Sequence, residues 1–268
     1  MATLFKTEGN KAFEAGNYED AVSWYTRGIS KDPTFVNLYT NRAMARFKLE
    51  AWEDCLNDCL QAIELKPQNF KAYFYLAQAQ LNLKHPNEAL SSASTAYEIG
   101  VSTADASTAK ACELVLNAKR AKWETAERAR LRQRNEMLRE LEDAIEKAGF
   151  DQSHQTVNPF EIHEIEEATK QKVQELYSLF ALADPANMQR RQVPDYMVDQ
   201  ISFAFMHDPV ITKSGQSYER TTIEAHLKVS QTDPLTREPL SRAELRPNLA
   251  LKQACTEFLE SNGWAVDW

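Results

Sequence analysis

Apolar residues recur at the spacing of α-helices along the first 148 residues, where glycine and proline are scarce. Two segments of this region align without a gap at an offset of 34 residues: "GNKAFEAGNYEDAVSWYTRGISKDP" and "NRAMARFKLEAWEDCLNDCLQAIELKP". Small residues keep the same offset at two points of the period, and they let neighbouring helices approach closely. They are Gly9, Ala43 and Ala77 at the first point, and Ala21, Cys55 and Ala89 at the second. This pattern predicts repeated pairs of helices.

A period of 34 residues is typical of tetratricopeptide repeats. Pro33 and Pro67 fall at its closing position, where a proline stops the second helix of a repeat. We predict an N-terminal domain at residues 1–106, and such repeats stack into a superhelix with a concave groove. It contains three repeats, at about residues 2–35, 36–69 and 70–103.

The middle of the chain is also helical but more highly charged. One long helix is predicted from Thr108 to about Ala148, where leucine and isoleucine recur every seven residues over a short stretch. A second helix is predicted from about Glu161 to Ala183. We therefore expect residues 107–183 to form a charged helical hairpin or coiled coil, or a contact between two copies of the chain. Residues 184–198 are predicted to be a linker.

The pattern changes in residues 199–268, which we expect to form a small α+β domain. Two short strands joined around Lys213 to Gly215 are predicted by the stretch "PVITKSGQSYE". Thr221 and Glu224 have the spacing of a capping box, which predicts the start of a helix through "TIEAHLKV". A final helix is predicted in "RPNLALKQACTEFLESNG". The whole chain is therefore expected to be mainly α-helical.

Composition excludes several classes of function. A net charge of −8 argues against a general nucleic-acid-binding protein. No apolar run is long enough to predict a membrane span, and the N-terminal residues lack the apolar core of a secretory signal. Four cysteines without a framework indicate a reducing compartment. We expect a cytoplasmic protein, with the nucleus as a second location.

Four polar residues of the repeats fall at positions that face the groove in this type of domain. Lys6 and Asn10 are four residues apart on one predicted helix, so they share a face. Asn41 and Lys71 lie on the first helices of the second and third repeats. Each residue alone is typical of a solvated surface, but two amines and two amides together form a site for one or more carboxylates.

The short sequences "KTEGN", "YTNRA" and "KAYF" resemble the dicarboxylate clamp of chaperone-binding tetratricopeptide domains. That family grips the free carboxylate and an Asp side chain of an acidic Glu-Glu-Val-Asp tail. The resemblance implies heat-shock chaperones of the 70 and 90 kDa classes as partners. Tyr75 stands where many relatives have Arg or Lys, which leaves the ligand preference undecided. Phe74, Tyr75 and Gln78 are interpreted as a pocket for a tail side chain, with ordinary helix packing as the alternative.

Two loops of the C-terminal domain have the layout of a zinc-bound cross-brace of the RING type. They lie in "FAFMHDPVITKSGQSYER" and "TDPLTREPL". Such a cross-brace needs Cys and His ligands in closely spaced pairs. Residues 199–268 contain only His207, His226 and Cys255, and none of these is paired. We therefore expect no metal and no other cofactor.

A RING-like domain without metal resembles the U-box, and residues 199–268 are similar to that family throughout. In U-boxes, hydrogen bonds and salt bridges replace zinc. The resemblance implies that these bonds involve Asp208, Lys213, Ser214, Ser217, Glu219 and Asp233. It also implies a docking surface for a ubiquitin-conjugating enzyme. The implied docking residues are Ile201, Phe203 and Pro234, with Met206 at the border and Arg237 as a cationic donor that bridges the enzyme and its ubiquitin.

The order of the parts resembles that of co-chaperone ubiquitin ligases, which tag misfolded clients held by chaperones and act as homodimers. Such ligases have no nucleophile and accelerate transfer by positioning the charged conjugating enzyme. One alternative is a non-catalytic chaperone adaptor whose U-box serves only as a scaffold. A second is covalent catalysis by Cys255, although its place on the apolar face of a predicted helix favours packing.

Overall fold

The computed structural model describes residues 2–183 and 192–268, with Arg134 described without its side chain. The chain folds as two compact units. One unit consists of Met1–Lys122 together with Asp195–Trp268, and the other of Trp123–Pro194. No helix among the described residues is long and apolar enough to cross a membrane.

Six helices form the three predicted repeats, two to each repeat. They are α1 (Ala2–Glu14), α2 (Tyr18–Lys31), α3 (Val36–Lys48), α4 (Trp52–Leu65), α5 (Phe70–Asn82) and α6 (Pro86–Thr103). The small residues lie where helices touch. A Cβ atom on Gly9 would lie 2.4 Å from the ring of Tyr25 on α2, so only glycine fits there. The prediction of a mainly α-helical chain that begins with tetratricopeptide repeats is confirmed.

A buried carboxylate fastens α3 to α4. Asp58 is 2% exposed, and its carboxylate accepts hydrogen bonds from Arg42 at 2.6 and 2.8 Å and from Arg46 at 2.8 Å. Burying a carboxylate is costly unless its charge is paired and its oxygens accept hydrogen bonds, and both conditions hold here. The contact fixes the part of α3 that carries Asn41, a predicted groove residue.

The middle helices differ from the prediction. The single helix expected to reach Ala148 is two helices, α7 (Thr108–Arg134) and α8 (Glu136–Ser153), separated at Asn135, whose backbone is extended. The beginning of α7, up to Lys122, belongs to the unit of the repeats, because its apolar face extends their core. The predicted boundary after residue 106 is therefore too early.

The unit Trp123–Pro194 contains the hairpin. It is formed by α8 and α9 (Pro159–Ala183), which run antiparallel around Leu138 and Tyr177. The hydroxyl of Tyr177 donates to Glu142 at 2.9 Å inside this contact. Of the predicted linker 184–198, residues 184–191 lie outside the described residues. Asp195–Met197 form a 3-10 turn with Met197 buried, so the last domain begins earlier than residue 199.

The C-terminal domain packs a small sheet against two helices. Its elements are β1 (Pro209–Ile211), β2 (Ser217–Glu219), α10 (Arg220–Val229), β3 (Arg246–Pro247) and α11 (Leu249–Ser261). The sheet is antiparallel in the order β2-β1-β3, with Val210 opposite both Tyr218 and Pro247. The predicted capping box at Thr221 is wrong, because α10 already begins at Arg220.

Candidate functional site

The four polar groove residues lie together in one cavity of about 500 Å³. Lys6 and Asn10 reach it from α1, Asn41 from α3 and Lys71 from α5. These are the first helices of the three repeats. The structure therefore brings into one place four side chains that are up to 65 residues apart in the chain.

The side-chain amides of Asn10 and Asn41 are held by hydrogen bonds. The Asn10 Oδ1 atom accepts from the Tyr25 hydroxyl and from the Asn41 Nδ2 atom, both at 2.9 Å. Burial raises the pKa of Tyr25 to about 12, so this hydroxyl remains a donor at neutral pH. Since both acceptor positions of Asn10 are used, its amide nitrogen is the group left to donate to a ligand.

Positive charge enters the cavity from two sides. The Lys6 ammonium lies 5.8 Å from the centre of the Phe35 ring. Lys71 is exposed on the first turn of α5, and within the described residues no hydrogen bond or ion pair engages it. The N-terminus of a helix itself favours an anion, which adds to the effect of the two lysines. The arrangement suits a ligand with more than one carboxylate.

The predicted pocket of Phe74, Tyr75 and Gln78 does not line this cavity. Phe74 stacks on Phe70, with ring centres 5.8 Å apart. Tyr75 packs against Phe47 and joins the core of the second repeat. For Tyr75 the structure favours the alternative of helix packing.

Two loops of the C-terminal domain share one design. Loop one covers residues 198–205 and loop two covers residues 232–239. Each loop is closed by a single antiparallel bridge between its first and last residues, Val198 with Phe205 and Thr232 with Pro239. The second residue of each is an aspartate, in the matching sequences "VDQISFAF" and "TDPLTREP".

The hydrogen bonds of the two loops also correspond. The amide of Asp199 donates to the carbonyl five residues later at 2.9 Å, and that of Asp233 does the same at 2.8 Å. The residue three positions after each aspartate donates its main-chain amide to the aspartate carboxylate. These bonds are 2.8 Å long from Ser202 and 3.1 Å long from Thr236. Each aspartate therefore occupies the centre of its loop.

The left-handed backbone of both loops presents one side chain to solvent. Phe203 has φ 58° and Arg237 has φ 60°, at the same position of their loops. The amide of each donates to the carbonyl of its aspartate, at 2.8 and 2.9 Å. The Phe203 side chain is 70% exposed, and that of Arg237 is exposed as well. The loops thus display an aromatic ring and a cation.

Each aspartate also ties its loop to the sheet. Asp199 is fully buried and accepts from the amide of Glu219 and the hydroxyl of Thr222, both at 2.9 Å. Asp233 accepts from the hydroxyls of Ser214 at 2.8 Å and Tyr218 at 2.9 Å. Burial opposes ionisation of Asp233, but these bonds and those from the loop amides outweigh it and lower its pKa.

Two more predicted carboxylates form a second polar cluster. Asp208 accepts from Arg220 at 2.6 Å and Lys252 at 2.8 Å. Burial opposes its ionisation, but these two cations outweigh burial and hold its pKa at about 2. Glu219 accepts from the amides of His207 at 2.7 Å and Asp208 at 2.8 Å.

The remaining predicted polar residues lie further out. Ser217 accepts a hydrogen bond from Asn248 at 3.1 Å, which joins β2 to the start of α11. Lys213 contributes little to the network, because it is exposed and only approaches Glu244, at 3.5 Å. Met206 cannot border a docking surface, since it is 1% exposed and belongs to the core. Ile201 and Pro234 are half-buried next to the exposed residues of the loops.

Comparison with known proteins supports the assignment of these domains. The U-box domain family matches residues 193–264, and a tetratricopeptide repeat family matches residues 59–91. The E3 ubiquitin-protein ligase CHIP of Arabidopsis thaliana is 30% identical over 99% of this chain and 95% of its own length. The chain belongs to the CHIP family of E3 ubiquitin ligases. This membership favours the ligase over the non-catalytic adaptor.

Other relatives match a smaller part of the chain. Sperm-associated antigen 1 of Homo sapiens is 46% identical over 33% of this chain and 9% of its own length. Among solved structures, the TPR2B domain of yeast Sti1 in a pHsp70 complex is 30% identical, with a TM-score of 0.43. It covers 44% of this chain and 94% of its own.

Catalysis by this CHIP-family ligase does not use Cys255 as a nucleophile. Its side chain is buried within α11, and burial raises the pKa of the thiol to about 11. The thiolate, which is the reactive form, is therefore scarce at neutral pH.

Asp199 and Leu235 are functional candidates that sequence reasoning missed. Asp199 is the centre of loop one, and Leu235 is 55% exposed at the position in loop two that corresponds to Ile201. The signal that would have found both is the similarity between "VDQISFAF" and "TDPLTREP".

We expect Asp199→Asn to slow the discharge of ubiquitin from a loaded conjugating enzyme by roughly tenfold or more. The asparagine side-chain nitrogen cannot accept the hydrogen bonds that the Asp199 carboxylate receives from its donors. Loop one would therefore lose the conformation that presents Phe203. Single-turnover discharge to free lysine measures this effect. Asp195→Asn, an exposed site just before the loop, is the matched control. Equal rates for the two variants would contradict the central role of Asp199.

Proposed function

We propose that this ligase holds heat-shock chaperones of the 70 and 90 kDa classes by their acidic C-terminal tails and ubiquitinates the misfolded clients that they carry. The observation that carries the proposal is the convergence of Lys6, Asn10, Asn41 and Lys71 on one cavity. A peptide that ends in aspartate offers two carboxylates close together, its terminal group and its last side chain. Two ammonium groups and two held amides complement such an end.

The location of the protein is part of this proposal. All four cysteines are reduced and buried, which is consistent with a cytoplasmic protein, with the nucleus as a second location. The net charge of −8 supports peptide and protein partners rather than nucleic acid.

The groove should recognise the free carboxylate of a tail. We expect Lys71→Ala to weaken binding of a peptide ending in Glu-Glu-Val-Asp by roughly tenfold or more, because a hydrogen bond to a charged group is worth about 1.5–3 kcal/mol. Amidation of the peptide C-terminus should have a similar effect. Isothermal titration calorimetry on the full chain measures both.

Lys66→Ala is the control for this experiment, because Lys66 is an exposed lysine near the start of α5 that does not line the cavity. It should leave affinity unchanged. An amidated peptide that binds as tightly as the free acid would show that the cavity is not a carboxylate clamp.

The two loops have separate tasks in the proposed transfer reaction. Phe203 and its half-buried neighbours Ile201 and Pro234 offer apolar surface on which a conjugating enzyme docks. Arg237 donates to the conjugating enzyme and its ubiquitin together, which restricts a mobile conjugate to geometries from which a lysine can attack. The protein itself supplies no nucleophile.

These tasks predict different kinetic effects. Phe203→Ala should raise the concentration of conjugating enzyme needed for half-maximal discharge, because apolar docking area is lost. Arg237→Ala should instead lower the maximal discharge rate, since docking remains and positioning is lost. Titration of loaded conjugating enzyme in single-turnover discharge separates the two parameters.

Arg246→Ala, which removes an exposed cation on β3, is the matched control for Arg237→Ala and should behave as wild type. The role of Arg237 would be disproved if both arginine variants discharged ubiquitin at the same maximal rate.

We further propose that the helical hairpin joins two copies of the chain. One side of the hairpin is buried in its own core, yet several large apolar side chains on α8 and α9 remain exposed. They are Met137, Leu141, Phe150, Phe160, Leu179 and Leu182. A second copy would offer the same apolar surface and cover it by symmetry.

We expect the wild-type chain to have the mass of a dimer in light scattering at micromolar concentration. Leu179→Glu combined with Leu182→Glu should give the monomer mass, because two buried charges would oppose the contact. Ser178→Glu, at a neighbouring exposed position, should remain dimeric. A monomeric wild-type chain would contradict the proposal.

A further inference from the structure

Two side chains outside the U-box reach into its second polar cluster. Tyr97, on α6, donates its hydroxyl to the Asp208 Oδ2 atom at 2.9 Å. Cys112, on α7, donates its thiol to the Glu219 Oε1 atom at 3.7 Å. All four side chains are buried. The repeats and the U-box, which belong to one compact unit, are therefore joined through polar groups.

Cys112 supplies a donor to a carboxylate oxygen that has none within the U-box, and Tyr97 adds a third donor to Asp208. Within the U-box, Asp208 receives Arg220 and Lys252, and Glu219 receives two main-chain amides on its Oε2 atom. The Glu219 Oε1 atom receives its hydrogen bond from Cys112. A buried acceptor without a donor is costly, so the contact stabilises this part of the network.

Tyr97 and Cys112 are the donors in these hydrogen bonds because both keep their protons. Burial raises the pKa of the Tyr97 hydroxyl and of the Cys112 thiol well above their ordinary values, so both groups keep their protons. Asp208 is ionised at neutral pH and accepts. Burial also lowers the pKa of His207 to about 3, and its uncharged ring packs edge-on against Tyr97 with ring centres 5.3 Å apart.

The residues of this cluster also hold loop one and the segment after it. The amide of Glu219 donates to Asp199, the centre of that loop, at 2.9 Å. The Glu219 Oε2 atom accepts hydrogen bonds from the amides of His207 and Asp208, which lie two and three residues after the end of the loop. A short chain of contacts therefore leads from Cys112 through Glu219 and Asp199 to the backbone of Phe203.

The contact leaves the docking residues uncovered. Phe203 remains among the most exposed large apolar residues of the described chain. Tyr97 and Cys112 also pack in one apolar cluster with Ala77 of α5, the helix that carries Lys71. The same cluster thus lies between the groove helix and the U-box.

We propose that Tyr97 and Cys112 are positioning residues for conjugating-enzyme docking, which act from the repeats through Asp208 and Glu219 on loop one. The inference rests on the proposed docking function of that loop. It predicts that the repeats preorganise the docking surface.

The test is Tyr97→Phe in the full chain, which removes one hydroxyl and keeps the ring. The concentration of loaded conjugating enzyme for half-maximal discharge should rise about three- to tenfold, as expected for coupled residues. The maximal rate and the affinity for a peptide ending in Glu-Glu-Val-Asp should stay unchanged. Tyr177→Phe is the matched control, since it removes an equally long buried tyrosine–carboxylate bond from the other unit.

A double variant shows whether the effect passes through loop one. Tyr97→Phe should add nothing to the defect of Phe203→Ala, because the same loop is already impaired. Additive defects would overturn the inference.

Cys112 provides an independent pair of variants. Cys112→Ala should raise the half-maximal concentration of conjugating enzyme, and Cys112→Ser, which keeps a donor, should give the wild-type value.

Hydrogen exchange at residues 199–208 tests the effect of Tyr97 and Cys112 on loop one separately from the proposed ligase function. Exchange there should be faster in Tyr97→Phe and in Cys112→Ala than in wild type, whatever the ligase activity. Unchanged exchange and an unchanged half-maximal concentration in both variants would overturn the inference. If exchange were faster in the variants but the wild-type chain discharged no ubiquitin, the proposed function and the docking role would both be refuted. The contact would then have only a structural role.

Discussion

Buried carboxylates that accept several hydrogen bonds organise this protein. Asp58 joins two helices of the repeats, Asp199 and Asp233 form the centres of the two loops, and Asp208 joins α10 to α11. A charge in the interior is tolerated only when its oxygens are fully engaged, so each carboxylate forces several segments into one arrangement. In the U-box this constraint sets the shape of both loops, because Asp199 and Asp233 accept hydrogen bonds from the amides of their own loops.

The two functional surfaces use opposite physical chemistry. The groove relies on positive charge and held amides, which suit a small anionic peptide end. The docking surface relies on exposed apolar side chains and one cation, held in place by left-handed backbone at Phe203 and Arg237. Such backbone costs free energy outside glycine, and the aspartate of each loop supplies the compensating hydrogen bonds.

Errors in sequence reasoning fall where no local signal exists. The break between α7 and α8 at Asn135 has neither proline nor glycine. Met206 lies three residues after the exposed Phe203, yet it is 1% exposed, and nothing in the neighbouring sequence marks that change. The burial of Asp199 has no periodic signal within its own loop, and it is revealed only when "VDQISFAF" is compared with "TDPLTREP".

The repeats, the order of the domains and the lack of paired zinc ligands in residues 199–268 could be predicted from spacing along the chain. Which residues meet depends on how the helices and domains pack. Lys6 and Lys71 share a cavity only because the repeats stack, and Tyr97 reaches Asp208 across 111 residues of chain only because the U-box packs on the last repeat. Contacts of this kind follow from the packing of whole surfaces, to which no short stretch of sequence corresponds.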